Sequence, residues 1–401
     1  MFSPLGRVLW PVLLALTSTA LADEAAIEAR LQALEAQLKT VQAENKQLRR
    51  ELGLDGTAGL TVAKPAGKEP VLIINGVVQM QGEFGDKGDA RFNSSNDRFF
   101  LRRVRLGAAG RFLEELDFRV EGEFANSLGG STTAASASLT DGFINWSHFS
   151  WANVKVGQFK TPFGYEFLTP DPKIFTAERT LGTDRLTLNR QVGVQVSGDF
   201  FDKQLGYAVG TFNGNGLNVS ANDNDNFNTI GRISGVPWQG RLLGQSARLT
   251  TGANAYASHD TALAMASEFG LTGNSFTGNR LGTGVDAQFN FGRFDLWSEY
   301  LRVRFRPTSR MPVSDFFSDA WYVQGSYYLV PGSLQAVVRH ETFDPNSAKF
   351  NNETGTWTLG MNLYFKGDDL KLQLDYLRTT LPGTPTPPEQ GKLMLRAQTI
   401  F

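Results

Sequence analysis

The feature of this sequence that most limits its fold is a long series of segments in which apolar and polar residues alternate. The pattern continues from residue 70 to residue 401. In residues 370–375, for example, leucines alternate with Lys371, Gln373 and Asp375. Because successive side chains of a β-strand point to opposite faces, each segment is predicted to form a strand with one apolar and one polar face.

The connections between these segments decide between two kinds of all-β protein. We place sixteen strands at residues 71–84, 98–111, 115–125, 139–148, 153–160, 191–200, 205–212, 228–236, 241–257, 282–291, 294–304, 319–330, 333–343, 354–365, 370–380 and 392–401. Their connections are alternately long and short. An even number of strands with short turns at one end and long loops at the other is typical of a transmembrane barrel, which leaves no unpaired strand edge in lipid. We therefore predict a sixteen-stranded antiparallel transmembrane β-barrel over residues 70–401, with a soluble all-β protein as the alternative.

The first 69 residues have a different composition. Arg7, a short apolar run and the Ala20-Leu21-Ala22 site predict a secretory signal peptide over residues 1–22. Residues 23–52 carry an α-helical heptad seam, which consists of Ile27, Leu31, Leu34, Leu38, Val41, Asn45, Leu48 and Leu52. Such a seam predicts an N-terminal coiled coil between copies of the chain, with a lone amphipathic helix as the alternative. Residues 53–69 are predicted to form a flexible linker.

Composition excludes several classes of function. The net charge of −1 does not favour binding to nucleic acid. With no cysteine and three histidines, the chain offers little for a thiolate or histidine metal site, and we expect no cofactor. No serine lies in a recognisable nucleophile motif, so we do not expect an enzyme.

A barrel of sixteen strands encloses an aqueous lumen, and the longest connection is the natural place for its constriction. This connection, residues 161–190, carries Phe163, Phe167 and Phe175, which an exposed loop tip would not need. We expect the loop to fold into the lumen. The alternative is a solvated outer loop with balanced charge.

Arginines cluster on the second predicted strand. Arg103 and Arg105 share a face, which should be the lumen because charge on the lipid face is costly. Arg102 is then expected near a rim or at a bulge. Arginines favour the passage of anions, since the guanidinium donors match phosphate and carboxylate oxygens. A second run, from Arg302 to Arg310, is either a basic funnel at the mouth or a solvated rim.

Several segments resemble those of the phosphate-selective porin O/P family. They are FFLRRVRLG at 99–107, VGQFKTPFG at 156–164, AER at 177–179, VGVQ at 192–195 and SEYLR at 298–302. The resemblance implies a sixteen-stranded homotrimeric porin whose third loop folds inside to form an anion-binding constriction. The C-terminal Phe401 resembles the signal by which outer-membrane proteins engage the barrel-assembly machinery.

The resemblance also implies roles for individual residues. Arg102 and Arg103 match the family's paired strand arginines, Arg179 its third-loop arginine, and Asp141 an acidic residue at the constriction. The chain departs from the family pattern at two places. Phe167 stands where phosphate-binding members have a third-loop lysine, with Lys173 nearby, and residues 258–279 contain no lysine or arginine in place of the family's fifth-loop arginine ladder.

Together these features predict a passive outer-membrane porin for phosphate and other small oxyanions. The expected substrate contacts are Arg102, Arg103, Arg105, Arg179, Lys160 and Lys173. The barrel would lie in the bilayer of the outer membrane, with the coiled coil in the periplasm. The alternative is a general, weakly selective porin whose coiled coil tethers the envelope to peptidoglycan.

Overall fold

The computed structural model describes residues 60–63, 71–92, 96–113, 115–125, 137–383 and 388–401. The predicted signal peptide and coiled coil, and most of the predicted linker, lie outside the described residues. Within the linker range, Leu60–Ala63 form a short strand, β1, that pairs with the first strand of the barrel. No helix in the described ranges is long and apolar enough to cross a membrane.

Most of the described part of the chain is β-strand. The strands after β1 are β2 (Val71–Gly85), β3 (Arg98–Phe112), β4 (Leu116–Glu123), β5 (Ser138–Phe149), β6 (Ala152–Lys160), β7 (Arg190–Phe200), β8 (Leu205–Phe212), β9 (Asn228–Leu242), β10 (Gln245–Ala264), β11 (Ser275–Phe291), β12 (Phe294–Pro307), β13 (Phe316–Val330), β14 (Leu334–Asp344), β15 (Thr354–Tyr364), β16 (Leu370–Thr380) and β17 (Glu389–Ile400). Two short helices, Tyr165–Leu168 and Leu181–Leu186, lie between β6 and β7. Single 3-10 turns occur at Asp171–Lys173, Ser267–Phe269 and Thr272–Asn274.

Strands β2 to β17 form a closed antiparallel barrel of sixteen strands, which confirms the predicted architecture. Each strand pairs with the next along the chain, and β17 pairs with β2 to close the ring. Gly76 and Phe401 exchange backbone hydrogen bonds of 2.8 and 3.1 Å at this seam. The ladder therefore closes on itself and leaves no open strand edge, as a hydrocarbon environment requires.

The strand boundaries differ from prediction around β9, β10 and β11. We predicted separate strands at residues 228–236 and 241–257, with a break between them that includes Pro237, a residue that cannot donate to a strand ladder. In the structure Pro237 lies within β9, at a shift in the register with β10 where Pro237 has no paired residue on β10. The turn lies at Leu243 and Gly244, both with positive φ (50° and 76°), as a two-residue hairpin turn requires. The fifth long connection is residues 265–274, shorter than predicted because β10 and β11 both continue further.

The two faces of the strands are in different environments. On β16, Lys371, Gln373 and Asp375 are each about 1% exposed, whereas Leu372 and Leu374 between them are 38% and 43% exposed. The polar face therefore points inward and the apolar face outward, the reverse of a water-soluble protein. Exposed leucines on the outer wall are what lipid contact favours.

The interior contains an apolar cluster in addition to polar side chains. Phe163, Leu181 and Leu186 of the connection between β6 and β7 are buried, and they pack in one cluster with Leu301 and Phe305 of β12. Burying side chains of this size contributes about 1.5–3 kcal/mol each. The connection is thereby held against inward-facing side chains of the barrel wall.

Candidate functional site

The connection between β6 and β7, residues 161–189, is called the long loop below. Three carboxylates of the wall accept hydrogen bonds from its backbone. Glu299 of β12 accepts from the amides of Tyr165 and Glu166, the second at 3.1 Å. Farther round the wall, the Glu341 carboxylate of β14 accepts from the amide of Leu181 at 2.8 Å.

The third carboxylate is that of Asp375 on β16, which accepts a hydrogen bond of 2.5 Å from the amide of Ala177. Side chains of the wall also donate hydrogen bonds to carbonyl oxygens of the long loop. Lys371 Nζ donates to the Pro172 carbonyl at 2.6 Å, and Asn362 Nδ2 donates to that of Phe175 at 2.7 Å. Backbone amides and carbonyl groups of the long loop are thus hydrogen-bonded to side chains of the wall on strands between β12 and β16. A loop bound at so many points has one defined position.

Arginines of β3 meet the long loop from another part of the wall. The ladder between β2 and β3 pairs Gln79 with Arg103 and Met80 with Leu101, so Arg102 is the extra residue of a β-bulge. As a result, Arg102 and Arg103 are both buried, although adjacent residues of a regular strand point to opposite faces. The bulge brings two guanidinium groups side by side.

Two carboxylates of the long loop bind these arginines. Asp171 contacts Arg103 at 3.0 Å and accepts a hydrogen bond of 2.6 Å from Arg105. Glu178 accepts two hydrogen bonds from Arg102, of 2.7 and 3.0 Å, in a bidentate pair.

Further ion pairs complete this group. Asp171 also binds Arg179 of the same loop, and Glu178 also binds Arg396 of β17. We call the group formed by Arg102, Arg103, Arg105, Arg179, Arg396, Asp171 and Glu178 the arginine–carboxylate cluster.

The cluster holds both carboxylates in their charged form. Burial raises the pKa of Asp171, but the positive charges of Arg103, Arg179 and Arg105 lower it more, so this pKa lies well below its usual value. For Glu178, burial likewise raises the pKa, and the charges of Arg102 and Arg396 lower it to a value below the usual one. Both groups therefore remain ionised at neutral pH.

The other three predicted site residues have different surroundings. Lys160 Nζ donates to the carbonyl oxygens of Phe167 and Thr169, at 2.5 and 3.3 Å. Lys173 is exposed, and it forms no ion pair with any residue that the structure describes. Asp141 of β5 accepts from Arg190 at 2.8 Å.

The structure thus brings five of the seven predicted residues to one place. Arg102, Arg103, Arg105 and Arg179 belong to the cluster, and Lys160 binds the same stretch of the long loop. Lys173 follows Asp171 by two residues, whereas Asp141 lies in a separate ion pair.

Sequence reasoning did not assign the partners of these cations. Asp171, Glu178 and Arg396 are not among the residues that the sequence predicted for the site. The signal that could have found Arg396 is its position on the polar face of β17, between the exposed Leu393 and Leu395 on one side and Ala397 on the other. Among the described residues, no group of three or more metal-ligating side chains is placed to hold a metal ion.

The second arginine run lies elsewhere. Arg302, Arg304 and Arg306 alternate on β12 with Leu301, Val303 and Phe305, which are buried in the interior. The arginines therefore point outward, away from the lumen. Of the two alternatives for this run, the funnel is wrong for these three residues.

Comparison with known proteins gives a consistent result. The chain is similar in fold to an anion-selective porin from Comamonas acidovorans, with a TM-score of 0.58 and 15% identity, over 83% of this chain and 100% of that one. It is also similar to the outer-membrane channel DcaP of Acinetobacter baumannii, with a TM-score of 0.55 and 14% identity, over 86% of this chain and 100% of that one. A third similar structure is OmpF of Salmonella typhi, with a TM-score of 0.55 and 12% identity, over 82% and 98% of the two chains.

No curated protein matches the sequence. The model of one protein family, described as phosphate-selective porin O and P, matches residues 75–401, which include all of the barrel except the first residues of β2. The chain is a member of the phosphate-selective porin O and P family.

Proposed function

We propose that this protein is an outer-membrane porin through which small anions, such as phosphate and other oxyanions, diffuse passively. Its family and its barrel fold are those of channel proteins and not of enzymes. The observation that carries the proposal is the local surplus of positive charge where the long loop meets β3 and β17 of the wall. In the arginine–carboxylate cluster five arginines share two carboxylates.

The carboxylate of Glu123, which pairs with Arg105 at 2.8 Å, reduces this surplus but does not remove it, since Lys160 lies beside Thr169 and Phe167 of the loop. In an interior of low dielectric, uncompensated charge acts over a longer distance than in water. The proposal is that the long loop narrows the lumen and that the surplus charge attracts anions to this constriction.

The buried and the exposed cations would have different roles. Arg102 and Arg103 are 9% and 4% exposed and are bound to carboxylates, so they would act mainly through their field and by fixing the long loop. Lys173 is exposed and would contact the permeating anion directly. Arg105, Arg179 and Lys160 would support it, and Asp141 would be an acidic group of the passage.

A relative in fold supports this selectivity, because the Comamonas acidovorans protein is named as an anion-selective porin. We further propose that the protein is a homotrimer, that residues 23–52 form a periplasmic coiled coil that aids trimer assembly, and that Phe401 is read by the barrel-assembly machinery.

The test is a reversal potential. Full-length protein is reconstituted in a planar bilayer of neutral lipid, with potassium chloride at a tenfold gradient. We expect a reversal potential of the sign that reports preference for chloride. A potential of the opposite sign would refute anion selectivity while leaving the channel assignment intact.

A second candidate is a general porin with weak selectivity. It is favoured by one observation, that each arginine of the cluster is already paired with a carboxylate. Titration of phosphate into the chloride solution distinguishes the two. Block of the chloride current by submillimolar phosphate supports a phosphate site, and an unblocked ohmic current supports the general porin. In the general porin, the proposed coiled coil would act as a tether to peptidoglycan.

A further inference from the structure

Three arginines form a patch on the outer wall of the barrel that the passage of anions does not use. Arg302, Arg304 and Arg306 point outward from β12, close to the long connection at residues 308–315. We call them the rim arginine patch. Side chains on the lipid-facing wall are normally apolar, so a charged row is unusual there.

The height of the patch is set by its aromatic neighbours. Tyr300 and Trp321 lie opposite each other on β12 and β13 and are both exposed on the outer wall. Exposed aromatic residues of transmembrane barrels mark the level of the lipid headgroups. Arg302 follows Tyr300 on the same face, about 7 Å further along the strand at 3.4 Å per residue. The patch therefore begins at the headgroup level and continues outward.

The guanidinium groups keep donors available. Arg302 contacts Asp319 through Nε at 3.2 Å, and its side chain remains 47% exposed. Arg304 donates one hydrogen bond, to Asp315 at 2.9 Å. Arg306 is 3.7 Å from the same Asp315 and 53% exposed. Among the described residues, these contacts leave both terminal nitrogen atoms of Arg302 and of Arg306 and one of Arg304 unbound, whereas Arg304 Nε is buried.

An aromatic ring stiffens the patch. The ring centre of Phe317 lies 4.4 Å from the Arg302 guanidinium carbon and 5.7 Å from that of Arg304. Such stacking holds guanidinium groups in place and leaves their edges free to donate hydrogen bonds. Asp344 of β14 pairs with Asp319 of β13 in the ladder, so these two carboxylates lie on the β14 side of Arg302. Among the residues that the structure describes, the carboxylate partner of Arg304 and Arg306 is Asp315.

We propose that the rim arginine patch binds the phosphate groups of an anionic, phosphorylated lipid in the outer leaflet of the membrane. The planar donor fork of arginine matches phosphate oxygens, and charge-assisted hydrogen bonds of this kind are stronger than neutral ones. A lipid presents its phosphate at the height where the patch lies, next to the aromatic belt, which a free anion does not. A second copy of the chain would have to cover half-exposed ion pairs and pay for their desolvation.

The test measures lipid binding to the full-length protein in neutral detergent by native mass spectrometry. The probe is diphosphoryl lipid A, with phosphatidylcholine as the neutral lipid. The variant is Arg302→Gln/Arg304→Gln. The control is Arg378→Gln. It removes another half-exposed arginine, which is paired with Glu389 and lies near the end of β16 that leads into a long connection. We expect lipid A to bind the variant at least tenfold more weakly than it binds the wild type or the control, and phosphatidylcholine to bind all three alike.

Equal affinity of lipid A for all three proteins would overturn the proposal. Displacement of lipid A from the wild type by millimolar inorganic phosphate would also overturn it, because the site would then bind the free anion. A changed oligomeric state of the glutamine variant, with unchanged affinity for lipid A, would show instead that the patch is a contact between copies of the chain. If the glutamine variant does not fold, Arg302→Lys/Arg304→Lys keeps the charge and loses the fork. An affinity equal to that of the wild type for this variant would also overturn the proposal.

This inference stands apart from the proposed function. The patch faces away from the lumen, so the glutamine variant should keep the reversal potential of the wild type. A shift of that potential would instead place the patch on the permeation path and refute the inference.

Discussion

Asp171 of the long loop lies 3.0 Å from Arg103 of β3, and the carboxylate and guanidinium groups are both almost completely buried. A buried ion pair contributes little compared with an apolar pair of the same size, but removing one member is costly because it leaves the other charge without compensation. The position of the long loop therefore depends on this contact.

Replacing Asp171 by asparagine tests that dependence. The variant leaves Arg103, Arg105 and Arg179 without their common carboxylate, and we expect the free energy of unfolding to fall by about 3–5 kcal/mol. It should also become more anion-selective, because negative charge is removed next to the arginines. Urea unfolding in detergent and the reversal potential measure the two effects. The control is Asp184→Asn, because the side chain of Asp184 is 42% exposed. Its free energy of unfolding should stay within about 0.5 kcal/mol of the wild-type value. An equal loss of stability in both variants would contradict the expectation.

The pH dependence follows from the low pKa of Asp171 and Glu178. A carboxyl group whose pKa is lower in the folded protein than in the unfolded chain stabilises the fold fully above its unfolded pKa, about 4, and loses this contribution as the pH falls through the folded value. We expect the current noise to rise as the pH falls below about pH 4, where the contacts of the long loop with β3 are released. If the noise does not rise in acid, these two carboxylates do not hold the loop.

We expect Lys173 to contribute to anion selectivity by direct contact with the permeating anion. It is exposed and has no carboxylate partner among the described residues. We expect Lys173→Gln to move the reversal potential towards zero and to weaken block by phosphate, with little change in stability because an exposed side chain loses no packing. The matched control is Lys203→Gln, at an exposed lysine in the short turn between β7 and β8. If the two variants have the same reversal potential, Lys173 is not a contact of the permeating anion.

The helix Leu181–Leu186 touches the wall closely at one glycine. A methyl group on Gly182 would lie 2.1 Å from the Cβ of Ala320 on β13. We therefore expect Gly182→Ala to push the helix away from the wall, to cost about 1–3 kcal/mol of stability, and to make the loop more sensitive to protease. Gly355→Ala on β15, where nothing lies within 4 Å, is the control and should have no such effect. Equal protease sensitivity of both variants would contradict this packing argument.

Deletion of residues 23–52 tests the proposed coiled coil. If this segment aids trimer assembly, its loss lowers the temperature at which trimers dissociate in detergent and leaves the single-channel conductance unchanged. The tether alternative predicts detachment of the outer membrane from the cell wall in cells, with trimer stability retained. Gel electrophoresis of heated samples and microscopy of cells separate the two outcomes.

The barrel itself could be predicted in detail because its signal is local. The polar side chains at Lys371, Gln373 and Asp375 on β16 follow a period of two, and turn and loop lengths give the pairing order. The prediction was wrong at Pro237, since a register shift that tolerates proline depends on the neighbouring strand and leaves no mark in the sequence nearby.

The candidate site was only partly predictable. The alternation pattern placed Arg103 and Arg105 on one face and Arg102 near a rim or at a bulge, and the structure has the bulge. The pattern gave no means of matching Arg102 with Glu178 or Arg103 with Asp171, because these pairs join segments far apart in the chain.

The sequence by itself therefore determined the all-β class, the number and order of the strands, and the inward and outward faces, because these depend on periodicity and on connection lengths. Tertiary structure alone decided that the arginines of β3 are paired with acids of the long loop and that Arg302, Arg304 and Arg306 point outward. The physical reason is that the partner and exposure of a charged side chain depend on what folds against it, and contacts of the long loop with β3 and β12 to β17 exist only once the barrel has closed.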